Sequence, residues 1–184
     1  STPRSPLDAL KKGMGYITES RRDNGFFGNF SIAQNMAVSQ SLKHGGYKGA
    51  MGLFHEENER KTAEAQRKLL ALKCHSVDQS ITELSGGNQQ KVLISKWLCC
   101  NPDVIIFDEP TRGIDVGAKA EIYKVMRQLA DDGKVILMVS SELPEIIAVC
   151  DRIAVFCEGR LTKILTNRDD MSEEEIMVWA LPQE

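Results

Sequence analysis

The most regular feature of the sequence is a succession of short apolar runs separated by amphipathic stretches. The runs 104–107 and 135–139 contain no polar residue, which is typical of strands buried in a parallel sheet. Helical periodicity covers 118–130 and 143–150 after them. Such strands, separated by helices, predict an α/β fold with a mostly parallel sheet that is covered on both faces.

The segment 31–100 has the periodicity of helices. A helix is expected from Ser31, which can serve as its N-cap, a second over 56–72, and a third from Ser85 to about Cys100. The glycine-rich stretch 44–52 between the first two predicts a flexible loop. This helical segment follows an expected strand at 14–18.

In the C-terminal part, two apolar runs are separated by a short turn instead of a helix. The runs 153–157 and 161–165 flank the turn 158–160, which predicts a β-hairpin. A helix is expected to close the chain from Ser172 to about Ala180, because Ser172 and Glu175 have the spacing of a capping box.

Composition and charge exclude several function classes. The formal net charge of −3 over 184 residues gives no basic face for nucleic acid. No run of about 18 apolar residues is present, so a membrane-spanning helix is not expected, nor is a signal peptide at the N-terminus. The five cysteines lack the C-x-x-C spacing of zinc sites, and we interpret them as reduced core thiols.

A serine followed by two glycines, Ser85-Gly86-Gly87, stands where the third helix should begin. Glycines at a helix start expose backbone N–H groups and allow a phosphate to approach, and the helix dipole and the Ser85 hydroxyl favour the same anion. Taken alone, this triplet is more often an ordinary helix cap.

Two consecutive carboxylates, Asp108 and Glu109, end the apolar run 104–107. The carboxyl edge of a parallel sheet is where ligands of such sheets bind. Asp108 can hold Mg²⁺ there, and Glu109 can polarise the water that attacks a γ-phosphate. By themselves, such residues are more often a plain transition from strand to loop.

The two elements together, in this order and spacing, resemble the signature and Walker B motifs of the ATP-binding-cassette (ABC) ATPases. The segment 111–118 resembles the D-loop of that family, with Asp115 at its aspartate. The sequence of 111–118, followed later by Ser140-Ser141-Glu142, is similar to the second cassette of bacterial sugar-import ATPases. In those proteins two cassettes are fused in one polypeptide. The similarity is greatest to importers of D-allose, which implies a monosaccharide as cargo.

The resemblance implies a partial cassette, the C-terminal portion of one ABC ATPase domain over 1–184. Residues 31–100 would form the helical signature subdomain, and 1–30 with 101–184 the RecA-like core. The segment 16–22 resembles the Q-loop, with Glu19 at the usual glutamine, and Phe26, Phe27 and Phe30 could line the neighbouring groove or the core.

ATP and Mg²⁺ are the cofactors that the resemblance implies. Two cassettes of this family pair head to tail, so the signature residues would complete the ATP site of the other cassette. Glu109 would be catalytic and Asp108 would hold the metal. The residues with an implied nucleotide contact are Ser85, Gly86, Gly87, Asn88, Gln90, Glu19, Asp115 and Ser141.

The implied partners are membrane permease subunits, the other cassette and, indirectly, a periplasmic sugar-binding protein, at the cytoplasmic face of the bacterial inner membrane. Nucleic acid is not among them.

The sequence departs from the family pattern at several positions. Ser141 stands where most cassettes have a histidine, Glu19 adds a negative charge, and Asn88 replaces a glutamine. The Walker A pattern G-x-x-x-x-G-K-[ST] does not occur. We therefore expect the chain to begin after that loop and to bind ATP weakly by itself.

Two alternatives stay open. One is an ABC ATPase of DNA repair or translation, although such proteins lack the amino-acid sequence found here at 111–118. The other is a non-catalytic regulatory cassette, which Ser141 favours and Glu109 does not.

Overall fold

A computed structural model describes residues 2–43 and 56–182. Its central element is a parallel sheet in which β2 (Val104–Asp108) lies between β1 (Met14–Ile17) and β3 (Val135–Val139). The register sets Tyr16 beside Ile106 and Ile106 beside Leu137. This confirms the predicted α/β fold with a parallel sheet.

The helices follow the predicted pattern closely. Asp115 caps one of them by accepting a hydrogen bond from the Ala118 N–H at 3.0 Å, so this helix begins two residues earlier than expected. A π-helical turn, Arg21–Gly25, follows β1, and the predicted loop 44–52 lies outside the described residues. The helices are α1 (Pro6–Lys11), α2 (Ile32–Lys43), α3 (Glu56–Leu69), α4 (Gly86–Leu98), α5 (Val116–Asp131), α6 (Leu143–Val149) and α7 (Glu173–Ala180).

The chain divides into two compact units, Ser1–Val139 and Ser140–Glu184. In the second, β4 (Arg152–Cys157) and β5 (Arg160–Thr166) form the expected antiparallel hairpin. Ser172 caps α7 as predicted, because its hydroxyl accepts from the Glu175 N–H. The core of this unit consists of Ile153, Val155, Met171 and Ile176.

The two faces of the parallel sheet differ. One face is buried, with Ile17, Ile105 and Phe107 inaccessible to solvent. On the other, Tyr16 is 43% exposed and Leu137 52% exposed. The prediction of a sheet covered on both faces is therefore wrong for the described residues. Unbroken apolar strands place apolar side chains on both faces, but α4 packs on the buried face, where Gly15 meets Trp97.

Within the first unit, a buried amide organises the aromatic segment before α2. The Asn35 side chain accepts from the Phe27 N–H at 2.8 Å and donates to the Phe27 carbonyl at 3.1 Å. Ser31 caps α2 as expected, with Gln34 bonding back to the Ser31 N–H.

Two helices of the first unit approach each other closely. A Cβ added to Gly87 of α4 would lie 2.6 Å from the Cβ of Ala118 in α5. One turn further on, the buried Lys91 ammonium donates to the Glu121 carboxylate at 2.8 Å and to the Ala71 carbonyl at 3.1 Å. The hydrogen bond from Lys91 lowers the pKa of Glu121. These contacts fix the start of α4 against the start of α5.

We expect Gly87→Ala to destabilise the protein, because a methyl group placed 2.6 Å from the Ala118 Cβ must displace one of the two helices. Overpacking of this kind costs about 1–3 kcal/mol of the free energy of unfolding. Urea unfolding followed by circular dichroism measures the loss.

The matched test adds Ala118→Gly, which removes the opposing methyl group. Although glycine in α5 is itself unfavourable by about 1 kcal/mol, the double variant should be more stable than the two separate losses would give. If the losses in the free energy of unfolding of the two single variants simply added in the double variant, the contact between positions 87 and 118 would not be the cause of the destabilisation.

Candidate functional site

The two predicted catalytic carboxylates lie at the carboxyl end of β2. The Tyr16 hydroxyl donates to the Asp108 Oδ2 atom at 2.6 Å. Glu109 has a φ of 46°, a conformation that non-glycine residues rarely adopt, and its N–H donates to the Val139 carbonyl at 2.9 Å. Strained backbone of this kind is often found at functional sites, and here the sheet holds it in place.

Tyr16 is a partner of Asp108 that the sequence reasoning missed. The hydrogen bond to Asp108 is the main cause that raises the pKa of the Tyr16 phenol, with burial contributing less. The two-residue period puts Ile106 and Asp108 on one face of β2, and the register sets Tyr16 beside Ile106. A prediction of strand register could therefore have found this residue.

Ser85 is the N-cap residue of α4, as the sequence predicted. Its hydroxyl does not bond to the helix backbone; its oxygen accepts from the Asn88 amide at 2.9 Å. The orientation of that amide is set by the Lys73 N–H, which donates to the Asn88 Oδ1 atom at 3.0 Å. With its oxygen accepting, the Ser85 hydroxyl has its hydrogen left to donate.

The two glycines of the motif serve different purposes. Gly86 lies near the surface, where an added Cβ would be 3.4 Å from the Gly113 carbonyl. Gly87 is buried, and its contact with Ala118 is sufficient to require glycine. Packing therefore accounts for the glycine at position 87, while the expectation that Gly86 opens a path for phosphate stays a prediction.

The Gln90 side chain does not lie on the surface that carries Ser85. Its side chain is 1% exposed in α4, and its Oε1 atom has no hydrogen-bond partner among the described residues. The neighbouring Gln89 is also buried, with its amide donating to the carbonyls of Leu84 and Ile81. The predicted nucleotide contact of the Gln90 side chain is therefore corrected: it faces the interior rather than the surface that carries Ser85.

The structure brings the predicted Q-loop (16–22) and the signature loop (Ser85-Gly86-Gly87) together around one open cavity of about 620 Å³. Glu19 pairs with Arg112 at its edge, so the additional negative charge of Glu19 has a cation beside it. Arg21 donates to the carbonyls of Arg112 and Gly113 at 2.8 and 3.1 Å. Burial lowers the pKa of the Arg21 guanidinium, and the neighbouring Arg22 adds to this.

The remaining predicted residues have other local surroundings. Asp115 is exposed, and its carboxylate caps α5 by accepting a hydrogen bond from the Ala118 N–H. Ser141 belongs to the second unit, in the turn before α6. Of the three phenylalanines, Phe26 packs against the helical core, while Phe27 is 50% exposed.

Over residues 2–43 and 56–182, no helix is long and apolar enough to cross a membrane. The same residues contain no group of three or more histidine, cysteine, aspartate or glutamate side chains placed to hold a metal by themselves.

The chain matches curated proteins along its whole length. It is 89% identical over 183 residues to the D-allose import ATP-binding protein AlsA of Escherichia coli (strain K12), covering 100% of this chain and 36% of that protein. It is 45% identical over 178 residues to a ribose import ATP-binding protein RbsA of Bacillus cereus, covering 96% of this chain and 35% of that protein. The chain thus spans about a third of the length of these relatives.

Solved structures agree on the fold. A nucleotide-free ATP-binding cassette from an ABC transporter superposes with a TM-score of 0.77 at 19% identity, over 96% of this chain and 69% of that one. A dimeric cassette bound to ADP and Pi superposes with a TM-score of 0.68 at 24% identity, over 86% and 64%. The family model described as ABC transporter matches residues 2–112. This chain therefore belongs to the ABC transporter family.

Proposed function

We propose that this chain works within a longer, two-cassette subunit as the C-terminal portion of the second ATP-binding cassette of a monosaccharide importer. The names of the relatives support import of a sugar, with D-allose favoured by the 89% identity to AlsA. The observation that carries the proposal is the placement of the signature loop beside the turn that follows Asp108 and Glu109.

The proposed division of this portion follows the sequence. Residues 31–100 form the helical signature subdomain, and 1–30 with 101–184 belong to the RecA-like core. Support comes from the buried cluster of α2, α3 and α4, which includes Ile32, Met36 and Val92.

Glu109 is proposed as the general base that orients the attacking water. The left-handed backbone at this position turns the chain sharply at the sheet edge, where ligands of parallel sheets bind. Asp108 is proposed to hold Mg²⁺, which would neutralise charge on the phosphates. Its carboxylate fits that ion, because Mg²⁺ favours one or two carboxylates together with nucleotide phosphates and water. Tyr16 already positions one of its oxygens.

The signature loop is proposed to bind the ATP of the other cassette. The Ser85 hydroxyl has a hydrogen to donate, and the backbone N–H groups at the start of α4 carry the positive end of the helix dipole. Both features suit a phosphate that arrives from outside the chain, as in a head-to-tail pair.

Coupling to transport is proposed to pass through the segment after β1. It carries Glu19, which pairs with Arg112, and the exposed Phe27, whose ring is accessible to a permease subunit at the inner face of the bacterial membrane. A periplasmic sugar-binding protein would act only through that permease.

A second candidate is a cassette that binds nucleotide without hydrolysing it. It is favoured by Ser141, because a neutral hydroxyl cannot supply the positive charge that a histidine would offer to a γ-phosphate. Replacing Glu109 separates the two candidates.

We expect Glu109→Gln in the full-length subunit to reduce ATP hydrolysis roughly 100-fold or more, because the amide cannot accept a proton from the attacking water. ATP binding should be retained, since the side chain keeps its size. The measurements are phosphate release by the subunit assembled with its permease and equilibrium ATP binding.

Glu142→Gln is the matched control, an exposed carboxylate in the second unit. Unchanged hydrolysis in the Glu109 variant would favour the non-catalytic cassette.

We expect Ser85→Ala to lower the kcat of ATP hydrolysis roughly tenfold, because one hydrogen bond to a charged phosphate is lost. The exposed Ser76, in the same helical segment, provides the control Ser76→Ala, which should leave kcat unchanged. Steady-state hydrolysis with increasing ATP checks both variants. Equal rates for Ser85→Ala and the unaltered subunit would contradict a role of the hydroxyl in the neighbouring site.

A further inference from the structure

The π-helical turn Arg21–Gly25 lies along α4, and contacts with α4 hold its C-terminal residue, Gly25. A Cβ added to Gly25 would be 2.5 Å from the Leu93 Cδ2 atom, so the backbone is pressed against the helix. The Lys96 ammonium donates to the Gly25 carbonyl at 2.5 Å. Burial lowers the pKa of Lys96 to about 8. The end of the turn is therefore held against α4.

The first residue of the same turn, Arg21, is bonded to the segment that follows β2. Arg21 donates from two nitrogens to two successive carbonyls, those of Arg112 and Gly113. Gly113 has a φ of 65°, and an added Cβ there would lie 3.4 Å from the Arg21 Nη2 atom. A flat guanidinium can bond to two neighbouring carbonyls at once, which a lysine ammonium does with less directional control.

Arg21 and Gly86 of the signature loop line the same cavity. A Cβ added to Gly86 would lie 3.5 Å from the Arg21 Nη2 atom and 3.4 Å from the Gly113 carbonyl. The guanidinium thus lies beside the signature loop, in the same cavity, while it is hydrogen-bonded to the turn that follows the carboxylates. Its neighbour Arg22 is exposed and lines the same cavity, but within the described part of the chain it makes no hydrogen bond to the Arg112 or Gly113 carbonyl.

We propose that Arg21 is a positioning residue that holds the signature loop in fixed relation to the turn after Asp108 and Glu109. The catalytic part of this inference rests on the proposed function. The signature loop serves the ATP of the other cassette, and the carboxylates serve the site of this one. Arg21 therefore links the two nucleotide sites of a pair through one chain.

The first test measures amide hydrogen exchange in the purified full-length subunit without nucleotide. We expect Arg21→Met to accelerate exchange roughly tenfold in the peptides that cover 84–90 and 111–117, because both segments lose a shared anchor. Arg21→Lys should give an intermediate rate, and the control Arg22→Met should give the rate of the unaltered subunit.

The second test measures the kinetics of ATP hydrolysis with the permease bound. Arg21→Met should lower kcat roughly tenfold with the KM for ATP changed less than about twofold, because the defect appears when the two cassettes close and not when ATP first binds. Arg21→Lys should restore part of kcat. A melting temperature close to that of the unaltered subunit distinguishes this result from general unfolding.

Exchange that is unchanged in either peptide, or equal in the Arg21→Met and Arg22→Met variants, would overturn the proposal. Faster exchange with unaltered kcat would overturn its catalytic part. If the unaltered subunit hydrolyses no ATP, the proposed function fails, and the exchange result alone decides whether Arg21 joins the two segments.

Discussion

The close approach of α4 and α5 at Gly87 and Ala118 is the contact on which the rest of the site depends. A single methyl group added at Gly87 would collide with the Ala118 Cβ at 2.6 Å. Close-packed interiors transmit such a displacement because neighbouring groups cannot yield. The buried Lys91, bonded to Glu121, holds the same two helices one turn further along. The start of the signature helix thus has one position relative to α5 and to the turn before it.

The chemistry of the candidate site follows from this geometry. With α4 fixed, Ser85 presents its hydroxyl and the helix N-terminus outward, while Asp108 and Glu109 end a strand in the same unit. The proposed anion-binding element and the pair of carboxylates thus belong to a single packed unit. They would face different nucleotides in a head-to-tail pair, which makes mechanical communication between them a requirement of the proposed function.

Much of this arrangement could be predicted from the sequence, because it depends on local signals. Ser85 and Ser172 cap helices where expected, and Asp108 ends its strand as the apolar run indicates. The rest depends on contacts between distant segments. The interior position of Gln90 is set by which side of α4 meets the core, and the bond from Tyr16 to Asp108 by strand register. Apolar patterning could not show that one face of the sheet is left exposed in the described residues.

Binding of a nucleotide phosphate by the signature loop can be measured by labelling a thiol at its first residue. In the full-length subunit with Ser85→Cys, the rate of modification by a thiol reagent is measured with and without ATP and Mg²⁺, using Ser76→Cys as control. We expect ATP to slow labelling at position 85 at least about tenfold, because a bound phosphate covers the helix N-terminus, and to leave labelling at position 76 unchanged. Labelling at position 85 that is insensitive to ATP would contradict phosphate binding by this loop.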